Sequence, residues 1–153
     1  MNPVGMEILL VEDNPKDLEL TLHALRKENL NNCVEVARDG EEALDFLFCR
    51  GTHSKRSFES PPKLIILDLT LPKVNGLEVL RSIKNDTRTR AIPVAILTSS
   101  NQERDLVDGY RMGVNSYLRK PVDFDQFREI VKQLGLYWLI VNQSPPARAF
   151  SQE

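Results

Sequence analysis

The run Leu64-Ile65-Ile66-Leu67 carries an aliphatic side chain at every position. In an extended chain such a run points apolar groups to both sides, so the strand needs cover on both faces. Comparable short runs occupy Glu7–Val11, Cys33–Ala37, Val94–Leu97 and Ser116–Leu118, and each is followed by a stretch long enough for a helix. Five strand-helix units in series imply parallel strands joined by right-handed crossovers. The predicted fold is therefore of the α/β class, a doubly wound five-stranded parallel sheet with helices on both faces. A chain of 153 residues accommodates one such domain, assigned to residues 1–142. Residues 143–153, with Pro145-Pro146, read as a C-terminal tail.

Local signals fix where the helices begin. Asn14-Pro15 supplies a cap and then a proline at the first helical position. Asn75 with Glu78, Ser100 with Glu103, and Asp123 with Gln126 have the spacing of capping boxes, in which two orphan amides are satisfied reciprocally. Leu18, Leu22 and Leu25 share a face of the first helix; Phe127, Ile130, Val131, Leu134, Trp138 and Val141 share one of the last. Gly113 suits the left-handed C-cap of the fourth helix. Arg50–Pro62 is polar, ends in proline and lacks core periodicity, so it reads as an unusually long, solvated connection.

Composition narrows the function classes. Twenty basic and 22 acidic residues give a net charge of −2, without the basic excess that nucleic-acid binding exploits. Two cysteines, Cys33 and Cys49, suggest neither a metal cluster nor a disulfide scaffold. The longest apolar run, Leu136–Val141, falls well short of a membrane span, and Glu7 and Asp13 interrupt any signal-peptide reading. The expectation is a cytoplasmic protein with no nucleic-acid or membrane partner.

Ligands of open parallel sheets bind beyond the carboxyl ends of the strands, where strand order reverses. The residues at those ends are Glu12-Asp13, Asp68, Thr98 and Lys120-Pro121. Singly, each has an ordinary reading: an acid after a strand caps a turn or helix, and a lysine is a solvated charge. Together, three carboxylates in one place repel unless a cation intervenes, and Mg²⁺ favours such oxygen ligands. Lys120 adds a charge for an anion and Thr98 a hydroxyl. The set suits phosphoryl chemistry, with Asp68 as a candidate nucleophile.

These residues lie in ILLVEDNPKD (Ile8–Asp17), LIILDLTLPKVNG (Leu64–Gly76), PVAILTSS (Pro93–Ser100) and GVNSYLRKPVD (Gly113–Asp123). In order and spacing the four segments resemble the receiver domains of response regulators, the CheY-like superfamily of two-component signalling. The resemblance implies a flavodoxin-like (βα)5 sheet of order 2-1-3-4-5. It further implies that Asp68 accepts a phosphoryl group from a histidine kinase, and that the domain catalyses only its own phosphorylation and dephosphorylation. Mg²⁺ would be held by Asp13, Asp68, the backbone carbonyl of Thr70 and, often through water, Glu12. Lys120 would contact the phosphoryl group, Thr98 would be the switch hydroxyl and Tyr117 the switch aromatic. The Lys120-Pro121 bond would be cis. Glu12 departs from the more usual aspartate and lengthens one carboxylate arm of the metal shell.

Within the family, ARDGEEALDFLFCRG, the loop through Ser57-Phe58 and QLGLYWLIVNQ resemble the small stand-alone regulators paired with phytochrome-class histidine kinases. The resemblance also implies output through the fourth helix, fifth strand and fifth helix. Beyond Leu134 the chain is apolar on nearly every side, which predicts a homodimer on that surface, including Tyr137 and Leu139. Three rival classes share parts of this pattern. A haloacid-dehalogenase-type phosphatase needs a second aspartate where Thr70 stands. Nucleotide-binding folds need glycine-rich loops that this sequence lacks. A phosphorylation-independent receiver-like binding module remains the alternative.

Overall fold

The structure is a computed structural model that describes residues 7–27, 34–98, 113–114 and 116–133, with backbone alone for 130–133. In order it holds β1 (Ile8–Val11), α1 (Pro15–Lys27), β2 (Val34–Ala37), α2 (Gly40–Leu47), a 3-10 turn (Gly51–His53), β3 (Leu64–Asp68), α3 (Gly76–Asn85), β4 (Val94–Thr98), β5 (Ser116–Arg119) and the helix Phe124–Gln133. The sheet order is β2-β1-β3-β4-β5, with every neighbouring pair parallel. The doubly wound prediction holds, with strand ends displaced by a residue. β3 and β4 each extend one position further, to Asp68 and Thr98.

Alternation along the strands builds two cores. Ile8, Leu10, Leu64, Ile66, Ala95 and Leu97 face Leu18 and Leu25 of α1 and Phe127 of the Phe124 helix. Leu9, Val11, Ile65, Leu67, Val94 and Ile96 face α2 and α3 on the other side. Every residue of β1, β3 and β4 is buried, which is the outcome the uninterrupted aliphatic runs demand. Each large side chain removed from water in this way contributes about 1.5–3 kcal/mol.

The helix starts behave as their chemistry predicts. Asn14 Oδ1 accepts from the amides of Lys16 and Asp17 at 2.9 and 3.0 Å. Asn75 and Glu78 form a reciprocal pair: Oδ1 of Asn75 accepts from the Glu78 amide at 3.0 Å, and Nδ2 donates to Glu78 Oε1 at 3.2 Å. Asp123 caps the last helix through the Gln126 amide at 2.7 Å. Its box stays half-formed, because Gln126 Oε1 accepts instead from the Arg119 amide at 3.1 Å and ties the helix to β5. Asp39, not singled out from sequence, caps α2 through the Glu42 amide. Gly113 has φ of +70°, as its proposed cap role requires.

The Arg50–Pro62 connection is largely exposed, as expected, but Arg56 latches it to the body of the domain. The guanidinium of Arg56 donates to the Phe46 carbonyl, stacks 3.6 Å above the Phe46 ring, and reaches the Ser60 carbonyl at 3.2 Å and Glu7 Oε1 at 3.4 Å. His53 sets its ring edge-on to Phe46. Arginine pairs readily with carbonyls, carboxylates and aromatic faces at once, and a reading based on apolar periodicity misses that. The predicted fourth helix with Ser100 and Glu103, the tail 143–153, and Tyr137 and Leu139 of the predicted dimer surface lie outside the described residues.

Candidate functional site

The connection from β1 runs to β2 on one side and the connection from β3 runs to β4 on the other, so a crevice opens beyond the carboxyl ends of β1 and β3. Glu12 and Asp13 follow β1 directly, and Asp68 ends β3. Carboxylate oxygens of Glu12, Asp13 and Asp68 all lie within 4.8 Å of one another. Glu12 and Asp68 are buried, while Asp13 is exposed. Gly76 holds the rim of the crevice. A Cβ there would overlap the Asp68 carbonyl and the Leu69 backbone, so α3 approaches β3 as closely as only glycine permits.

Lys120 enters from the end of β5. Its ammonium lies 2.8 Å from Asp68 Oδ2, 3.1 Å from Glu12 Oε1 and 3.2 Å from Asp17 Oδ2. The following bond to Pro121 is cis. The Lys120 amide donates to the Thr98 carbonyl at 3.0 Å, which anchors the lysine to the end of β4. Thr98 itself is buried there. The Thr70 amide donates to Asp68 Oδ1 at 3.0 Å and orients the carboxylate. Tyr117 is half-buried and packs against the core on the α2 and α3 side. Glu12, Asp13, Asp68, Thr98 and Lys120 thus gather at one sheet edge as expected. Asp17, an acid in the first turn of α1, joins them without having been singled out. It also places favourable negative charge at the start of α1.

Glu12 bears the marks of a site built for a cation. Its side chain is fully buried, and Oε1 lacks a hydrogen bond because the nearby ammonium is poorly aligned with it. Burial, reinforced by hydrogen bonding and repulsion from Asp68, pushes its carboxyl up to about 7 despite the opposing charge of Lys120. Burial pulls Lys120 down, but the hydrogen bond and charge of Asp68, with Glu12 beside it, hold it above the usual lysine range. Three hard oxygen donors, one of them orphaned, fit a divalent ion.

An open parallel sheet with a carboxylate and lysine cluster at its switch point is the architecture of a phosphoryl-receiving signalling domain. Residues 8–132 match the response regulator receiver domain family. The chain belongs to that family and is a response regulator of the two-component phosphorelay class. The probable methanogenesis regulatory protein FilR2 of Methanothrix harundinacea is 43% identical over 138 residues, covering 90% of this chain and 86% of FilR2. The bacteriophytochrome response regulator RtBRR superposes with a TM-score of 0.83 at 51% identity, covering 92% of this chain and 84% of RtBRR. The Mn²⁺-bound form of response regulator Rcp1 superposes with a TM-score of 0.70 at 35% identity, covering 93% and 99%. Among the described residues, no helix is long and apolar enough to cross a membrane.

Proposed function

We propose that Asp68 accepts a phosphoryl group from a phosphohistidine of a phytochrome-class histidine kinase, and that the modified domain signals through protein contacts in the cytoplasm. The observation that carries this reading is the 2.8 Å pairing of Asp68 Oδ2 with the Lys120 ammonium inside the three-carboxylate cluster. A carboxylate oxygen of Asp68 forms the new bond to phosphorus as the bond from phosphorus to the imidazole nitrogen breaks. The electron pair leaves with the imidazole. Glu12, Asp13, Asp68 and the Thr70 carbonyl would hold Mg²⁺, which when bound neutralises charge on the transferring group. Lys120 supplies a fixed positive charge on the other side, so the protein contributes mainly positioning and electrostatics. Thr98, anchored to the Lys120 backbone, is the hydroxyl that senses the modification, and Tyr117 relays it into the core behind β4 and β5.

A groove of about 470 Å³ between α1 and the Phe124 helix, lined by the apolar Leu20, Ala24 and Val122 and the charged Lys27, Arg119 and Asp123, supports docking of the kinase on this face. The phytochrome assignment is supported by the 51% identity to RtBRR, which is named for a bacteriophytochrome. A homodimer through the fourth helix, β5 and the fifth helix, including Tyr137 and Leu139, completes the proposal. Tyr137→Asp or Leu139→Asp should then sediment as a monomer.

The central test is intact mass after incubation with acetyl phosphate and Mg²⁺. The wild type gains one phosphoryl group, and Asp68→Asn gains none. An unmodified wild type, or equal modification of the variant, would instead favour the phosphorylation-independent binding module.

A further inference from the structure

We propose that Asp17 is a positioning residue for phosphoryl transfer, tethering the Lys120 ammonium by a contact that the metal does not contest. This rests on the reading of Asp68 as the acceptor. A lysine ammonium has three N–H donors, and that of Lys120 meets carboxylates from the ends of β3 and β1 and from the first turn of α1. Two of the three, Asp68 and Glu12, also belong to the cluster that fits a divalent ion. Asp17 does not. A cation drawing on Glu12 and Asp68 leaves Asp17 as the contact, among the described residues, that keeps Lys120 in place.

Asp17 is itself well held. The Asn14 amide donates to Glu12 Oε2 at 3.2 Å, and Asn14 Oδ1 accepts from the Asp17 amide at 3.0 Å. Asp17 Oδ2 accepts from Lys120 at 3.2 Å, and Lys120 reaches back to Glu12 Oε2 at 3.3 Å. The four residues close a ring of hydrogen bonds that fixes the lysine from the α1 side. A lysine is a point charge on a flexible stem. Its value to a transition state depends on being in place before charge develops. A simpler role for Asp17, favourable charge at a helix N-terminus, predicts no effect on chemistry.

The experiment measures initial phosphorylation rates of the full chain against acetyl phosphate concentration at saturating Mg²⁺. For Asp17→Asn the maximal rate should fall about tenfold or more, toward the roughly hundredfold loss that a 1 Å misplacement of a catalytic group can cause. The half-saturating donor concentration should stay the same or decrease, since a negative charge near an anionic donor has gone. Asp17→Glu should recover most of the rate. Calorimetric Mg²⁺ affinity should stay within about twofold, because Asp17 is not in the metal cluster. The double variant K16E/D17N returns the charge to the helix start without the tether, and it should remain slow. A maximal rate for Asp17→Asn within about twofold of wild type, or recovery in K16E/D17N, overturns the role of Asp17 alone. A wild type that accepts no phosphoryl group overturns the acceptor reading and this inference together.

Discussion

The buried Glu12 carboxyl makes divalent-metal binding a proton-exchange reaction. Its side chain is fully buried with one oxygen unbonded, and its carboxyl titrates near 7 where an isolated glutamate titrates at 4.5. That difference corresponds to about 3 kcal/mol, as an upper bound because Lys120 and Asp68 share the charge. The sign follows from proton counting. Between 4.5 and about 7 the native protein binds more protons than the unfolded chain, so metal-free stability falls as pH rises through that window. Mg²⁺ needs the ionised form and displaces the proton. Its affinity should therefore tighten up to about tenfold per pH unit below 7 and level off above it. Titration calorimetry in buffers of different ionisation enthalpy should detect close to one proton released per Mg²⁺ at the lower pH and almost none well above 7. In Glu12→Gln the affinity should be weaker and the dependence near 7 lost. Affinity in the wild type that stays flat from about pH 5.5 to 8 would refute the reasoning, since Glu12 would then already be ionised before the metal arrives.

Two further perturbations probe the frame around the site. Gly76→Ala drives a methyl into the backbone of Asp68 and Leu69; urea unfolding should show a loss of about 1–3 kcal/mol, with slower labelling of Asp68 as its carbonyl end is displaced. Arg56→Ala removes the group that joins Phe46, Ser60 and Glu7, and should cost about 1–3 kcal/mol while exposing residues 50–62 to limited proteolysis. Unchanged cleavage of that loop would count against Arg56 as its latch.

The fold was legible because its strongest determinants are local. Aliphatic runs with no polar face specify central parallel strands, and Asn14, Asn75 and Asp123 cap the helices that follow. The cluster was legible for a different reason: at the ends of parallel strands, chain order converts to spatial proximity. What escaped the sequence reading depends on side-chain reach. Asp17 meets Lys120 across 103 positions of chain only because the lysine side chain reaches from the end of β5 across the crevice to the first turn of α1. Arg56 spans 49 positions to Glu7 and is polar throughout, so hydrophobic periodicity contains no trace of its packing. Gln126 abandons its capping partner for the Arg119 amide, an exchange that depends on where β5 ends.

Under the proposed function, Lys120 offers a route by which a change at Asp68 would reach both faces of the sheet. Three residues before Lys120, Tyr117 packs into the core on the α2 and α3 side, while Leu118 before the lysine and Val122 and Phe127 after it belong to the core on the α1 side. Its amide is bonded to Thr98, and its ammonium to carboxylates from β1, β3 and α1. On the proposed reading, negative charge gained at Asp68 draws the ammonium toward itself, and any shift of the backbone from Ser116 to Val122 that follows alters packing on both sides. Close-packed interiors resist gradual deformation and respond by switching between discrete arrangements. The residue proposed to stabilise the transferred group would thus also link it mechanically to β5 and the helix after it.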